Sequence, residues 1–246
     1  MKQIDMKQAE LTDLAKKGRI SRRDFMAKAT AMGVTAALAT SVWNNSAQAA
    51  PKRGGTMRFG SGHGSTTDTL DPGTFANGGI IHQGYGMRNH LTEVNNDGTL
   101  IPELSEGWEA SDDASEWVFN LRKGVEFHNG KSLEPQDVID SINHHRGKDS
   151  KSAAKPLLAA ITELKADGKD KVVFKLSGGN ADFPFTVSDY HLAIMPSKGN
   201  GKVDWQSGIG TGAYVKQKFE PGVRATYKRN PNYFKSGRGN FDEVEF

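Results

Sequence analysis

The chain has 246 residues, a formal net charge of +3 and no cysteine, which excludes disulfides and thiolate metal sites. The first 49 residues hold eight of its 32 basic and four of its 29 acidic side chains. The remainder therefore carries 24 basic and 25 acidic residues, a net charge of −1. That balance gives no electrostatic reason to expect a nucleic-acid partner.

The first 49 residues are typical of an export signal, and they are set aside from the fold reasoning. The run Ser21-Arg22-Arg23-Asp24-Phe25-Met26 contains a twin-arginine motif, with Arg22, Arg23 and Phe25 at its recognised positions. The alternative is an amphipathic helix with a chance pair of arginines. The motif favours export of a folded protein by the twin-arginine translocase.

An uncharged run follows over 29–50, rich in Ala, Val and Leu. It is too short for a stable membrane span. Ala47 and Ala49 form an A-x-A-like cleavage site. We therefore expect a processed protein that is soluble in the periplasm.

A predicted strand over 56–59 leads into a glycine-rich loop, Gly60 to Gly64. Glycines after a strand can cradle a phosphate, and Ser61 could act as a nucleophile. However, the loop lacks the G-x-G-x-x-G spacing, a Lys-Ser/Thr pair and a G-x-S-x-G elbow. We favour a flexible loop, with a hydrolase or nucleotide-binding enzyme as the alternative.

The next elements are a helix over 80–91, a strand over 92–94 and a hairpin turn at Asn96-Asp97-Gly98. In the stretch that follows, Trp117, Phe119 and Leu121 alternate with other side chains. This period of two predicts a half-buried strand.

Val125 and Phe127 continue that alternation and predict a second short strand. Pro135 is suited to the first turn of a helix. His144 and His145 would close this helix, complementing its dipole on a solvated surface.

The last third of the chain contains more strand-like segments between turn signals, over 161–164, 172–176, 190–195, 213–215 and 225–227. The alternation around Val244 predicts a final strand, whose partner strands we do not expect within the chain. The seven histidines show no dense zinc spacing, so no metal site and no cofactor are predicted.

Several segments match one family pattern in the family's order. They are 103–108, 117–130, 137–141, Thr69-Leu70-Asp71-Pro72, Gly208 to Tyr214 and Arg229 to Phe234. Together they resemble family 5 extracellular solute-binding proteins, the dipeptide- and oligopeptide-binding proteins of ABC importers. The departures are mild: Ala213 stands where Pro is usual, Phe234 stands where Trp is usual, and Asp113-Ala114 replaces the usual Asp-Gly turn. The resemblance also implies that His128, which lies in the family's hairpin motif, is structural.

The resemblance implies an α/β fold, the first lobe of a type II, cluster C periplasmic binding protein. Residues 50–91 and 178–246 would form a mixed-sheet domain, and 92–177 a smaller inserted α+β domain. The second lobe would be absent. Family members are about twice this long, so we expect a fragment or a truncated gene product.

The resemblance also implies a periplasmic substrate-binding component of an ABC transporter. It would capture peptides or similar small solutes for an inner-membrane permease, without catalysis. The segment after the Leu-Asp-Pro element would lie at the cleft, which nominates Phe75, Ala76 and Asn77. Tyr85 and His191 are further ligand-binding candidates, for which core packing or surface exposure is the alternative. An interaction protein that binds no ligand is a third possibility.

Overall fold

The computed structural model describes residues 10–15, 20–46 and 53–246 of the chain. Contacts between residues divide the chain into two units, Met1–Arg53 and Gly54–Phe246. Within the described residues, no helix combines the length and the apolarity that crossing a membrane requires.

The N-terminal unit is helical where it is described. Residues 10–15 are helical, and two helices follow, α1 (Arg22–Ala31) and α2 (Ala36–Ser46). Ser21 caps α1, because its Oγ accepts a hydrogen bond from the Asp24 amide at 3.1 Å. Phe25 is buried, and its ring centroid lies 5.2 Å from that of Trp43.

Arg22 and Arg23 are both exposed in the first turn of α1. The predicted cleavage residues, Ala47 and Ala49, lie outside the described residues. The export signal and its cleavage site therefore stay predictions.

The C-terminal unit contains short helices and strands in a mixed order. Its helices are α3 (Gly78–Met87), α4 (Pro135–His144) and α5 (Phe183–Thr186), with 3-10 turns at Pro72–Thr74 and Lys155–Leu158. Its first strands are β1 (Thr56–Arg58), β2 (Thr92–Val94), β3 (Leu100–Pro102), β4 (Ser105–Ala110), β5 (Glu116–Leu121) and β6 (Ile161–Ala166). They are followed by β7 (Lys171–Leu176), β8 (Ser197–Gly199), β9 (Lys202–Val203), β10 (Tyr214–Glu220), β11 (Arg224–Arg229) and β12 (Glu243–Glu245).

The first four-stranded sheet has the order β1-β12-β11-β10. Met57 of β1 pairs with Val244 in parallel, and Tyr227 of β11 pairs with the same residue in antiparallel register. The sheet is therefore mixed, as predicted. The expectation that the strand at Val244 would lack partners is wrong, because β12 lies between two strands and Val244 is buried.

The second four-stranded sheet has the order β4-β5-β7-β6. Along β5 the buried positions are Trp117, Phe119 and Leu121, which confirms the alternation read from the sequence. Helix α4 begins at Pro135, as predicted, and contributes Val138 to the core of this sheet. These elements form the larger apolar core of the chain.

The predicted short strand at Val125 and Phe127 is wrong. Both side chains are buried, but the backbone there forms only an isolated bridge, between Glu126 and Ser132. The Asn129-Gly130 turn lies between these two residues. The chain therefore reverses too soon for further residues to pair. Burial of alternate side chains was correctly predicted, and regular pairing was not.

The predicted strand over 190–195 is also wrong. Leu192 to Met195 are buried, yet no strand pairs with them. The amide of Ile194 donates to the Asn89 carbonyl at 2.9 Å, and the amide of Met195 donates to Ser141 Oγ at 2.9 Å. Because a loop and a helix side chain satisfy these donors, this extended segment needs no neighbouring strand.

The Gly-Thr-Gly loop fixes the end of α3. The amide of Gly212 donates to the Met87 carbonyl at 2.8 Å, and a Cβ at Gly212 would lie 2.3 Å from the Met87 carbonyl carbon. His128 Nε2 lies 3.0 Å from the Gly212 carbonyl oxygen, and its Nδ1 accepts from the Gly210 amide at 3.3 Å. The structural role predicted for His128 is confirmed.

Candidate functional site

Phe75 anchors the segment that the sequence nominated for ligand binding. Its ring is buried and packs against α3, where a Cβ at Gly84 would come within 2.6 Å of the ring. Its amide donates to the Pro72 carbonyl at 3.2 Å. The side chain of Phe75 therefore serves the core and is not placed to touch a ligand.

Asn77 fixes the other end of the same segment. Its Oδ1 accepts from the Ile80 amide at 3.2 Å, which caps α3. Its Nδ2 donates to Asp68 Oδ1 at 2.8 Å. With both polar ends of its amide engaged, Asn77 holds the backbone rather than offering its own side chain.

Ala76 lies exposed between these two anchors. Within the described residues, neither its N–H nor its C=O has a hydrogen-bond partner. A free donor and a free acceptor on a segment held at both ends can pair with the backbone of an extended peptide. The small side chain leaves that approach open.

His191 is brought to this segment from a distant part of the chain. Its Nε2 lies 3.1 Å from the Phe75 carbonyl oxygen, and its Nδ1 lies 2.7 Å from Asp189 Oδ1. The side chain is 8% exposed. Its imidazole therefore supports Phe75 and does not itself face solvent. Sequence reasoning named His191 but missed Asp189, although the acidic residue two positions away was visible.

Tyr85 is half-exposed near the C-terminal end of α3, and its ring centroid lies 5.4 Å from that of His90. In the described part of the chain it makes no hydrogen bond or ring contact with Phe75, Ala76 or Asn77. The structure thus joins His191 to the nominated segment and leaves Tyr85 apart from it.

The histidine pair that ends α4 differs from its prediction as a solvated surface. His144 Nε2 lies 2.9 Å from Asp71 Oδ1, and His145 is completely buried, with its Nδ1 2.6 Å from Ser152 Oγ. Burial, followed by the neighbouring His144, lowers the pKa of His145 to about 3. The prediction failed because both rings have protein partners: His144 bonds Asp71 of the Leu-Asp-Pro segment, and His145 bonds Ser152 in the loop that follows α4.

A partly buried ion network that sequence reasoning missed links β2 to the loop after Asn232. Lys235 Nζ contacts the carboxylates of Glu103 and Glu93, and Arg238 Nη1 lies 2.8 Å from Glu93 Oε1. Burial alone would raise the pKa of Glu103. The hydrogen bond and charge of His90, together with Lys235, instead lower it to about 2. Lys235 and Arg238 are more than 100 residues from the two glutamates that they contact, so no local pattern could reveal these ion pairs.

The glycine-rich loop lines a cavity of about 300 Å³ together with Asp68 and Glu220. Arg224 also lines the cavity, but its Nε is paired with Glu245 Oε1 at 2.8 Å, so the lining shows no surplus of positive charge for a phosphate. The hydroxyl of Ser61 donates to the His63 carbonyl oxygen at 2.8 Å, so it has no base in contact. The geometry gives no support to the enzyme alternative. Among residues 10–15, 20–46 and 53–246, no cluster of His, Asp or Glu could hold a metal ion.

The family model for bacterial extracellular solute-binding proteins, family 5 Middle, matches residues 99–246. The chain belongs to this family. The match confirms the resemblance read from the sequence.

Two curated relatives and one solved structure show how far the similarity extends. The HTH-type transcriptional regulator SgrR of Yersinia enterocolitica is 31% identical over 147 residues, 59% of this chain and 25% of the regulator. Di/tripeptide-binding protein 1 of Pseudomonas aeruginosa is 26% identical over 184 residues, 64% of this chain and 34% of that protein.

The solved structure is the periplasmic binding protein AgaA of A. tumefaciens R10 in complex with agropinic acid. It has a TM-score of 0.70 and 26% identity, covering 78% of this chain and 39% of AgaA. The predicted fold is confirmed: the chain has the mixed α/β fold of one lobe of a type II periplasmic binding protein. It spans a quarter to two fifths of the length of these three proteins.

Proposed function

We propose that this chain is the first lobe of a substrate-binding component of an ABC importer, and that it captures peptides. Family membership supports the solute-binding class. The observation that carries the peptide assignment is Ala76, an exposed residue whose backbone N–H and C=O have no partner among the described residues. An extended peptide would pair with this N–H and C=O as an added strand does, so the main chain supplies affinity independently of peptide sequence.

The anchors on either side make this pairing favourable. A segment that is already rigid loses little conformational entropy when a ligand binds. Phe75 is held through its ring, its amide and its carbonyl oxygen, and Asn77 is held by two hydrogen bonds of its amide. Because Ala76 has no large side chain, the adjacent ligand side chain is not sterically selected at this position. The name of the Pseudomonas aeruginosa relative, a di/tripeptide-binding protein, fits this class of ligand.

The domain organisation we propose follows the two sheets. The first sheet pairs β1 with β12, which supports one domain from residues 50–91 and 178–246. The second sheet lies within Ser105–Leu176, which supports an inserted domain over 92–177. In this arrangement the proposed ligand-facing segment, Phe75 to Asn77, belongs to the first domain.

The cellular setting belongs to the same proposal. Arg22, Arg23 and Phe25 would direct the folded protein to the twin-arginine translocase, and cleavage after Ala49 would release it into the periplasm. There it would deliver ligand to an inner-membrane ABC permease. The exposed arginine pair supports this route, because a recognition motif has to be accessible.

A ligand panel tests the proposal. The purified product of the complete gene is heated with dipeptides, tripeptides, longer peptides, glutathione, nickel complexes and sugars, and its melting temperature is measured. Peptides are expected to raise it in proportion to the logarithm of their concentration. A shift with another solute class and none with peptides would reject the peptide assignment. Turnover of an ester or a nucleotide would reject the binding-protein assignment.

A further inference from the structure

Another cavity lies beside the C-terminal end of α3. Its volume is about 300 Å³, and its lining includes Tyr85, His90, Val94, Glu103 and Tyr233. Small-molecule pockets range over roughly 300–1,000 Å³, so this cavity suits one terminal group of a ligand rather than a whole ligand. Tyr85, which the sequence nominated and the segment from Phe75 to Asn77 leaves unused, belongs to it.

The buried ring of His90 has one nitrogen without a partner. The side chain is 4% exposed, and within the described residues its Nε2 makes no hydrogen bond. The Nδ1 lies 3.6 Å from Glu103 Oε2, which also accepts from the His90 amide at 2.6 Å. An acceptor beside Nδ1 favours the ring hydrogen there and leaves a lone pair on Nε2. Because buried polar atoms are normally paired, we expect Nε2 to pair with a donor that enters the cavity.

The charges differ between the two tyrosines that line the cavity. Burial raises the pKa of the Tyr85 phenol, and the carboxylates of Asp189 and Glu103 act in the same direction. The potential at this ring is therefore negative. Burial also raises the pKa of Tyr233, but there the charge of Lys235 opposes the rise. A positive group is thus favoured beside Tyr85, and the protein's own cation lies nearer Tyr233.

Two exposed side chains add apolar surface to the lining. Tyr85 is 50% exposed and Val94 is 47% exposed. A tyrosine ring presents a negative face to a cation, and a valine can cover the methylenes that carry such a group. The rings of Tyr85 and His90 lie 5.4 Å apart, centroid to centroid, so one small group can contact both. A carboxylate would match neither the potential nor the lone pair.

We propose that this cavity binds a primary ammonium group on an alkyl stem, such as a lysine side chain carries. The ammonium would donate to Nε2 of His90 and lie against the ring of Tyr85, and its methylenes would pack on Val94. This assignment goes beyond the capture of peptides by the Ala76 backbone. Only the step from an ammonium group to a residue of a peptide ligand rests on the proposed function.

Fluorine NMR of the purified protein, labelled with 3-fluorotyrosine, tests the site. The Tyr85 signal is the one that Tyr85→Phe removes. The probe is Nα-acetyl-lysine N-methylamide, whose only charge is the side-chain ammonium. The norleucine analogue, which has a similar stem and no ammonium, is the matched control. We expect the lysine probe to shift the Tyr85 signal in a saturable manner and the norleucine probe to leave it in place.

Two further probes separate the source and the sign of the charge. Glycinamide has a terminal ammonium and no alkyl stem, and it should bind more weakly than the lysine probe. Equal binding would assign the cavity to amino termini and overturn the lysine-type stem. An equal response to norleucine, no response to the lysine probe, or a response to acetate alone would each overturn the ammonium site.

A substitution tests the role of the unpaired nitrogen. His90→Phe keeps a ring and removes the acceptor, so affinity for the lysine probe should fall about tenfold, as expected for a hydrogen bond to a charged group. Phe241→Leu changes an exposed ring outside this lining and should bind as the wild type does. Unchanged affinity in His90→Phe would contradict the contact with Nε2. If that variant does not fold, the comparison of lysine and norleucine in the wild type still decides.

The outcomes here and in the ligand panel are distinguishable. A cavity that ignores the lysine probe leaves the peptide assignment standing, because that assignment depends on the backbone of Ala76. Absence of a peptide effect in the panel leaves the ammonium site standing, because the lysine probe has no peptide chain to pair with that backbone as a strand.

Discussion

The Nε2 of His144 lies 2.9 Å from Oδ1 of Asp71, and this bond ties the end of α4 to the segment that precedes the proposed ligand-facing residues. The same carboxylate oxygen accepts from the amide of Gly73 at 2.9 Å. Asp71 thus links α4, which packs into the larger apolar core, to the segment that carries Phe75. Burial would raise the pKa of Asp71, but the hydrogen bond and charge of His144 outweigh it, and the pKa lies below its ordinary value.

A double-mutant cycle with Asp71→Asn and His144→Gln should show a coupling of about 1 kcal/mol in urea unfolding near neutral pH. Because the folded-state pKa of Asp71 is depressed, the stabilisation is present above the ordinary value of 3.8 and is lost as the pH falls through the folded pKa. The coupling should therefore vanish in strong acid. A coupling that does not change with pH would show that the pair is held by packing alone.

His145 should make the protein sensitive to acid at a higher pH. Its folded pKa of about 3 lies below the ordinary value of 6.5, so between these values the unfolded chain binds a proton that the folded chain does not. The free energy of unfolding should fall as the pH drops through this window, by at most about 1.4 kcal/mol per pH unit. Urea unfolding at several pH values measures it.

His145→Gln should flatten this pH dependence, even if it lowers stability at neutral pH by removing the bond to Ser152. The exposed His63→Gln variant is the matched control and should retain the wild-type slope. An unchanged slope in His145→Gln would mean that this ring takes up its proton in the folded state as well.

The β5 strand offers a sharp test of register. Phe119 is fully buried, with its ring centroid 5.5 Å from that of Phe174, whereas the neighbouring Asn120 is only partly buried. Phe119→Ala should cost on the order of 3–5 kcal/mol of unfolding free energy, and Asn120→Ala should be nearly neutral. Similar losses at the two positions would contradict the register of the sheet.

Local patterns predicted β5, α4 and the hairpin turns, because side-chain periodicity and capping are encoded within a few residues. They failed at 190–195, where Ile194 and Met195 find hydrogen-bond partners in distant segments. They failed again at His145, which looked like a helix end in solvent. The complete burial of this ring depends on tertiary packing, which has no local sequence signature.

The same limit applies to the candidate site. The sequence led to Phe75, Ala76 and Asn77 through family resemblance, and not through a chemical pattern. It could not distinguish the exposed residue Ala76 from the buried ring of Phe75. It also could not show that His191 supports Phe75, since a contact across 116 residues depends on the whole fold.

Export should depend on the arginine pair itself rather than on its charge. Replacing Arg22 and Arg23 with Lys preserves the charge but removes the guanidinium groups. We expect precursor to accumulate in the cytoplasm and the mature form to disappear from the periplasm, measured by fractionation and immunoblotting. Lys28→Arg, which alters a basic residue outside the motif, should be processed normally. Normal processing of the double variant would remove the twin-arginine assignment.

The backbone of Ala76 provides the most direct test of peptide pairing. Ala76→Pro removes the N–H that would pair with ligand. The preceding residue tolerates this change, because Phe75 has φ −65° and ψ 119°, in the extended region that a residue before proline prefers. The loss of one hydrogen bond should weaken binding of a peptide from the panel roughly tenfold in calorimetry, with the melting temperature of the ligand-free protein little changed.

Ala76→Ser keeps the N–H and should bind as the wild type does. If Ala76→Pro binds with unaltered affinity while Ala76→Ser weakens binding, the ligand contacts the side chain at this position, and main-chain pairing is wrong.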